Sequence, residues 1–373
     1  MIIVEEIRMK IQILKENLHK ALLLSGKFVS TKAQLPVLSH IIVKAEKDGL
    51  YFSATNLEMG IRLRIGGKIL EEGEIAVPAR VFSELVGALS LGTVSLAAKT
   101  SDQLQLTTGK TSATLQTMGA EEFPAIGEGK GEKIGSFSVS SLKEVLEKVG
   151  FATSGDESRP VLTGILWRLA KGELAATDGY RLSVVNHAAA KADKGVDIAS
   201  LLLPWSFLRE SLAVFEELGE KEIEMRYVAK QKQVVFSGED VLLVGRLLEG
   251  EYPQFEAILP KGDGARVTVD RQELLGAVKA AAIFARDSAH IVKLNISASL
   301  VVVSANAAQV GENTIEVEAA IEGGEEGVIA FNSRYLVDCL SHCLTQKVLF
   351  EYFGSLKPGV FRETDNDGFF HVI

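Results

Sequence analysis

The stretch Val77-Pro-Ala-Arg-Val-Phe-Ser-Glu-Leu-Val-Gly-Ala-Leu89 occurs, respelled, twice more in the chain. The second copy is Leu203-Pro-Trp-Ser-Phe-Leu-Arg-Glu-Ser-Leu-Ala-Val-Phe215 and the third is Phe331-Asn-Ser-Arg-Tyr-Leu-Val-Asp-Cys-Leu-Ser-His-Cys343. Starts at 77, 203 and 331 leave intervals of 126 and 128 residues. The mainly apolar positions share their offsets: Val81, Phe82, Leu85, Val86, Leu89; Phe207, Leu208, Ser211, Leu212, Phe215; Tyr335, Leu336, Cys339, Leu340, Cys343. Steps of 1, 3, 1 and 3 trace one face of an amphipathic helix. A helix recurring at a fixed period means that the chain is built from copies of one structural unit.

A second helix recurs upstream of each copy. Ser141-Leu-Lys-Glu144 and Asp270-Arg-Gln-Glu273 have capping-box spacing and are expected to open helices. Lys15–Ser25 is the counterpart in the first unit. Strands fill the intervals: Gly49–Asn56, Gly172–Asp178 and Leu300–Asn306 are three versions of one strand, and Val94–Ala98, Gln103–Thr107 and Ser112–Gln116 alternate as a meander. Gly127–Lys133 and Pro260–Ala265 are Gly-rich, charged linkers. The expected organisation is three α+β domains, at 9–128, 134–259 and 266–373, after a possible N-terminal extension at 1–8.

Composition bounds the function. The 373 residues are 47% hydrophobic and 24% charged, as in globular proteins. Forty Lys and Arg against 49 Asp and Glu give a net charge of −9, so any contact with nucleic acid needs a local basic surface. Two cysteines exclude a disulfide scaffold and suit a reducing compartment. No run reaches the ~18 apolar residues of a membrane helix, and the N-terminus lacks signal-peptide order, so a cytoplasmic location is expected, with no membrane partner.

Motifs of catalysis are missing. Gly109-Lys-Thr111 ends like a phosphate-binding loop, but Leu104 stands where the first Gly belongs, so a hairpin turn is expected. Glu239-Asp240 reads as another turn. Cys339 and Cys343 fall in core slots of the repeat, where free Cys packs as a small hydrophobe, and no cofactor or metal is expected. There is neither a His-Glu-x-x-His nor a Gly-x-Ser-x-Gly pattern. A binding protein, not an enzyme, is the expected class.

The helices carry cations: Lys15, Lys20, Lys27 and Arg80; then Lys143, Lys148 and Arg209; then Arg271, Lys279, Arg286 and Arg334. For any single Lys a solvated helix face is the simpler reading. Recurrence on helix after helix, in a chain of charge −9, favours one shared basic surface if the repeats form an arc.

Several segments together carry a family resemblance. Arg159-Pro-Val-Leu-Thr-Gly-Ile-Leu166, Ala176-Thr-Asp-Gly-Tyr-Arg-Leu182, Glu249-Gly-Glu-Tyr-Pro-Gln-Phe-Glu-Ala-Ile-Leu-Pro260 and Phe331-Asn-Ser-Arg-Tyr-Leu336 resemble the bacterial DNA sliding clamp, the beta subunit of DNA polymerase III. Leu35-Pro-Val-Leu38, Thr55-Asn-Leu-Glu-Met59, Val77-Pro-Ala-Arg80 and Glu122-Phe-Pro124 fit in the same order. The resemblance spans residues 9 to 373.

It implies a DNA clamp fold of class α+β: three domains, each a pair of β-α-β-β-β units, with helices inside a ring and sheets outside. It implies a head-to-tail homodimer that encircles duplex DNA and tethers the replicative polymerase, serving as a non-catalytic processivity factor opened by a clamp loader. Position by position, the resemblance places Lys32 against DNA; of the recurrent helix cations, Lys15, Lys20, Arg80, Lys143, Lys148, Arg209 and Lys279 are expected to face the same DNA. It places Ile283 and Phe284 at the subunit interface. It places Arg159, Leu162, Thr177, Gly179, Tyr180, Arg181, Leu182, Pro253, Ile258 and Val372 around a pocket for short linear motifs of polymerases, the clamp loader, ligase and repair proteins. The family commonly has His where Tyr180 stands, and commonly continues a few residues beyond the position of Ile373. The alternative is a clamp-derived scaffold that binds peptides without encircling DNA.

Overall fold

The computed structural model describes residues 9–30, 35–127, 129–286, 288–297, 299–307, 309, 311–364 and 366–373, without the side chain of Asp367. The segment 1–8 and Lys32 lie outside the described residues.

One unit, a strand, a helix and a three-stranded meander, is written six times. The first pair is β1 (Met9–Leu14), α1 (Lys15–Gly26), β2 (His40–Glu46), β3 (Gly49–Thr55), β4 (Met59–Ile65), an added β5 (Lys68–Glu71), then β6 (Gly73–Pro78), α2 (Ala79–Ala88), β7 (Thr93–Thr100), β8 (Gln103–Thr108) and β9 (Thr111–Gln116). The second is β10 (Glu132–Ser138), α3 (Val139–Gly150), β11 (Gly164–Arg168), β12 (Glu173–Thr177), β13 (Leu182–Asn186), β14 (Leu201–Pro204), α4 (Trp205–Leu218), β15 (Glu222–Val228), β16 (Gln233–Ser237) and β17 (Val241–Arg246). The third is β18 (Ala265–Asp270), α5 (Arg271–Ala285), β19 (Ile291–Ser297), β20 (Leu300–Ala307), β21 (Gly311–Glu322), β22 (Gly327–Asn332), α6 (Ser333–His342), β23 (Lys347–Tyr352), β24 (Val360–Glu363) and β25 (Asn366–Val372).

In all six units the helix starts on the residue after the strand ends, so the strand's last residue occupies the cap position. Asp270 behaves as expected there, accepting from the amides of Gln272 and Glu273. Ser141 does not. Because β10 runs straight into α3 at Val139, Ser141 lies inside the first turn rather than at the cap.

The helix faces follow the repeat. All five positions of the second copy (Phe207, Leu208, Ser211, Leu212, Phe215) are buried in α4. Cys339 and Cys343 are buried as expected, and burial pushes the Cys339 thiol well above its ordinary range. The first copy departs: Phe82 and Val86 are buried, but Val81 is 52% exposed. The meander alternates, with Val94, Leu96 and Ala98 inside. Gly109 (φ +51) turns β8 into β9, and Glu239-Asp240 lies between β16 and β17, as the turn chemistry predicts.

Strands join in sheets of five (β5-β1-β7-β8-β9), eight (β10-β15-β16-β17-β4-β3-β2-β6) and twelve (β14-β11-β12-β13-β25-β24-β23-β18-β21-β20-β19-β22). Two seams join meanders of different units. At one, β4 pairs with β17, setting Gly60 opposite Val244 and Ile61 opposite Leu243. At the other, β13 pairs with β25, setting Leu182 opposite Val372 and Ser183 opposite His371. Each seam joins the last strands of two meanders. The two remaining last strands are β9 and β21. Among the described residues, β9 pairs only with β8 outside its own edge, and β21 pairs over 311–318 only with β20.

Among the described residues, contacts gather the chain into two compact bodies, the residues up to 139 with 206–247 and residues 140–205 with 248–373. The middle pair of units is thus shared, α4 and β15–β17 going to the first body and α3 and β11–β14 to the second. Among the described residues no helix is long and apolar enough to cross a membrane.

Candidate functional site

The turn after β12 and the turn after β3 are built bond for bond alike. Thr177 Oγ1 donates to the Arg181 carbonyl (2.6 Å) and accepts from the Gly179 amide (3.1 Å). Thr55 Oγ1 donates to the Met59 carbonyl (3.0 Å) and accepts from the Leu57 amide (3.1 Å). Asp178 Oδ1 accepts from the amides of Tyr180 and Arg181, as Asn56 Oδ1 does from those of Glu58 and Met59. The central residue is left-handed in both, Gly179 at φ +94 and Leu57 at φ +76. Gly adopts this freely, whereas Leu stores about 1–2 kcal/mol of strain.

The turn at Thr177 is the one that frames a groove. A cavity of about 350 Å³ is lined by Tyr180, Ile329, Ala330, Phe331, Asn332, Tyr335, Ser355, Leu356, Lys357, Pro358 and Ile373. Tyr180 is 73% exposed and Leu356 98%, a large apolar offering to solvent. Burial lifts the Tyr335 phenol above its ordinary pKa, and the Asp178 carboxylate adds to the effect.

The expected pocket residues divide. Leu182 and Val372 are fully buried and share a core cluster with Ala175, Val184, Phe255 and Val360, so they support the site from beneath. Thr177 is buried and fixes the turn. Leu162 is buried in the single-turn helix Pro160–Thr163. Arg159 is exposed and donates to the Asp178 carbonyl (3.2 Å), bracing the turn next to Gly179. Pro253 and Ile258 do not line the groove; Ile258 is 54% exposed on the segment whose Phe255 enters the same cluster.

Arg181 lies behind the groove, with its side chain 9% exposed. Its guanidinium bonds Asp178 (3.0 Å), the Phe151 carbonyl (2.7 Å) and Asp338 of α6, and stands 4.8 Å from the centre of the Tyr335 ring. Deeper still, Ser183 donates to the Lys148 carbonyl (2.8 Å) and meets His371 Nδ1 (3.1 Å).

The helix cations are less free than their sequence suggests. Lys148 is a correction: it is buried, and its ammonium pairs with Glu363 (2.9 Å) and Glu144 (3.4 Å) rather than facing a ligand. Glu363, itself 1% exposed, supplies the counter-charge that a buried ammonium requires. Arg271 reaches the carbonyls of Leu340 and Thr345, closing the end of α6. Arg80 pairs with Glu84 (2.9 Å), Arg209 with Glu210 (3.1 Å), Lys27 with Glu210 (3.2 Å) and Lys143 with Glu147 (3.9 Å), and Lys20 donates to the Glu217 carbonyl (2.6 Å). Lys279 is exposed and Lys15 half-buried. Arg286 and Arg334 line a separate cavity of about 320 Å³ with His290.

Comparison with known families accounts for most of residues 9–373. Models of the DNA polymerase III beta subunit match in sequence order, the N-terminal domain at residues 9–127, the central domain at 136–254 and the C-terminal domain at 256–373. The chain belongs to the DNA polymerase III beta subunit family.

The family includes the beta sliding clamp of Chlamydia muridarum, 28% identical over 343 residues that cover 90% of each chain. The fold agrees with the sliding clamp of Bacillus subtilis, at a TM-score of 0.91 and 26% identity over 98% of both chains. It agrees also with the Pseudomonas aeruginosa clamp solved bound to griselimycin, at 0.88 and 27% over 98% of both. Ile283, assigned to the subunit interface by the family pattern, is 60% exposed at the end of α5, with Phe284 half-buried beside it. The sequence reading missed Tyr335, Asn332, Leu356 and Ile373 as groove residues. The available signal was a phenol in Tyr335, where the slot elsewhere holds Val81 and Phe207.

Proposed function

We propose that this chain closes with a second copy, head to tail, into a ring around duplex DNA and tethers the replicative polymerase there as a processivity factor. The observation that carries the reading is the pair of open edges on β9 and β21. They occupy the topological position at which β4–β17 and β13–β25 are joined, so pairing β9 of one copy with β21 of another repeats a seam the chain already makes twice. Ile283 and Phe284 then bury against the second copy.

The state of the cations suits sliding. Arginines and lysines already paired to nearby glutamates hold phosphates weakly, and each phosphate released from a strong contact would cost salt-dependent free energy at every step. Closure, not grip, supplies persistence. The groove beside Tyr180 and Tyr335 takes short linear motifs of polymerase, clamp loader, ligase and repair proteins: apolar walls bury aliphatic and aromatic side chains, and Asn332 and backbone groups orient the peptide. A related clamp binding griselimycin supports a ligand site in this fold. A scaffold that binds peptides without encircling DNA is the less favoured reading, since it leaves the two open edges unexplained.

The test is retention after loading onto nicked circular DNA. The ring reading expects bound protein to survive moderate salt on circles and to run off linear DNA by its ends. Equal retention on both forms defeats it.

A further inference from the structure

The two internal seams are built on the same backbone plan, yet their interiors differ. Aligning the identical turns sets Met59 against Arg181, and aligning the repeat helices sets Phe207 against Tyr335 and Glu210 against Asp338. At the first seam Phe207 is buried, with its ring packed so close to Gly245 that no side chain fits there. Glu210 turns to Lys27 and to its neighbour Arg209. At the second seam Tyr335 is left half-exposed as a groove wall, and Asp338 bonds Arg181 beneath its ring.

A seam therefore holds together without an arginine–aspartate pair beside it. Asp338 itself lines the neighbouring cavity with Arg286 and Arg334, but through Arg181 the pair reaches the Tyr335 ring that walls the groove, which points to the groove as its purpose. Asp338 stands one helical turn behind Tyr335, so the two project from the same face of α6. Arg181 is thereby held by three different elements, namely its own turn through Asp178, the end of α3 through the Phe151 carbonyl and α6 through Asp338. Its guanidinium also lies near two rings, 4.8 Å from the centre of Tyr335 and 5.6 Å from that of Phe151.

We propose that Asp338 is a positioning residue for the partner-binding groove: by fixing Arg181 it fixes the Tyr335 ring as a rigid wall. This rests on the peptide-binding reading above. Without the Asp338 carboxylate the buried guanidinium loses one of its three anchors and seeks water. The ring above it gains freedom, and a peptide then has to order the wall as well as itself.

The experiment uses the full chain and a synthetic peptide carrying one Gln, two Leu and one Phe. Calorimetry gives affinity, and fluorotyrosine placed at position 335 gives a fluorine line that reports ring mobility. Asp338→Asn is expected to bind about tenfold more weakly and to broaden or shift the fluorine line without peptide. Asp338→Glu is expected to restore much of both. Arg181→Lys keeps the charge but loses the fork, and is expected to behave like Asp338→Asn; it serves if that variant folds poorly. Glu210→Gln, the counterpart at the other seam, is expected to leave affinity within twofold. If the wild type binds and Asp338→Asn binds within twofold with an unchanged fluorine line, this inference fails alone. Equal losses in Asp338→Asn and Glu210→Gln also overturn it, by showing a general loss of stability. If the wild type takes no peptide at all, the peptide reading and this inference fall together.

Discussion

Ser183 and His371 face each other across the β13–β25 seam, with Oγ and Nδ1 3.1 Å apart, at the positions where the β4–β17 seam sets Ile61 against Leu243. A polar pair thus replaces an apolar one in the same fold environment. His371 is completely buried, its Nε2 has no partner among the described residues, and burial depresses its pKa to about 3.

Stability should therefore fall on acidification. The unfolded histidine takes a proton near pH 6.5, whereas the folded one refuses it until about 3. The neutral ring's contribution is complete above pH 6.5 and is lost as the pH falls towards 3, amounting to about 2 kcal/mol at pH 5. Denaturant unfolding between pH 7 and 4 should show a steeper loss for wild type than for His371→Leu, which copies Leu243. Parallel pH profiles would refute the assignment.

Lys148→Met should cost about 3–5 kcal/mol, because it strands Glu363 without its buried cation. Pairing it with Glu363→Leu should recover most of that loss. The expected signature is a drop in the unfolding midpoint for the single variant, largely restored in the double. Were Lys148→Met to keep full stability and lose only DNA retention, the burial of this lysine would be functionally irrelevant.

Phe284→Asp should yield monomers at micromolar concentration. Burying a Phe contributes roughly 1.5–3 kcal/mol, and a ring of two copies contains the contact twice. Light scattering at a mass twice that of the chain, unaltered by the substitution, would move the interface elsewhere.

Leu57→Gly should be neutral or stabilising by up to about 1 kcal/mol, against the usual trend for removing a side chain. The gain is relief of left-handed strain, and the offset is the greater freedom of Gly in the unfolded chain. Gly179→Leu, the reverse exchange in the twin turn, should destabilise by about 1–2 kcal/mol. Paired denaturation curves decide both.

The repeat was legible because helix faces declare themselves locally: Phe207, Leu208, Ser211, Leu212 and Phe215 are close in sequence and buried together. The hairpin turns at Gly109 and Glu239-Asp240 were legible for the same reason, since each lies between strands that adjoin it in sequence. Lys148 was misread because its partner Glu363 lies 215 residues away, beyond any local pattern. Tyr335 was passed over because its slot is filled by a buried Phe in the second copy. Whether that slot becomes core or groove wall depends on what the distant strand beneath it carries. Gly245 admits the Phe207 ring, whereas the same place on β25 leads to Ile373.

The open edges of β9 and β21 have a consequence for assembly at large. They are different surfaces, so in the proposed pairing each junction leaves one of each kind unsatisfied until the last copy meets the first. Nothing in such an edge counts copies; only the angle between successive chains decides whether the series ends. A substitution that leaves the edge intact but alters that angle would not give monomers. It would give open-ended filaments, whose growth a capping fragment bearing β9 alone should halt.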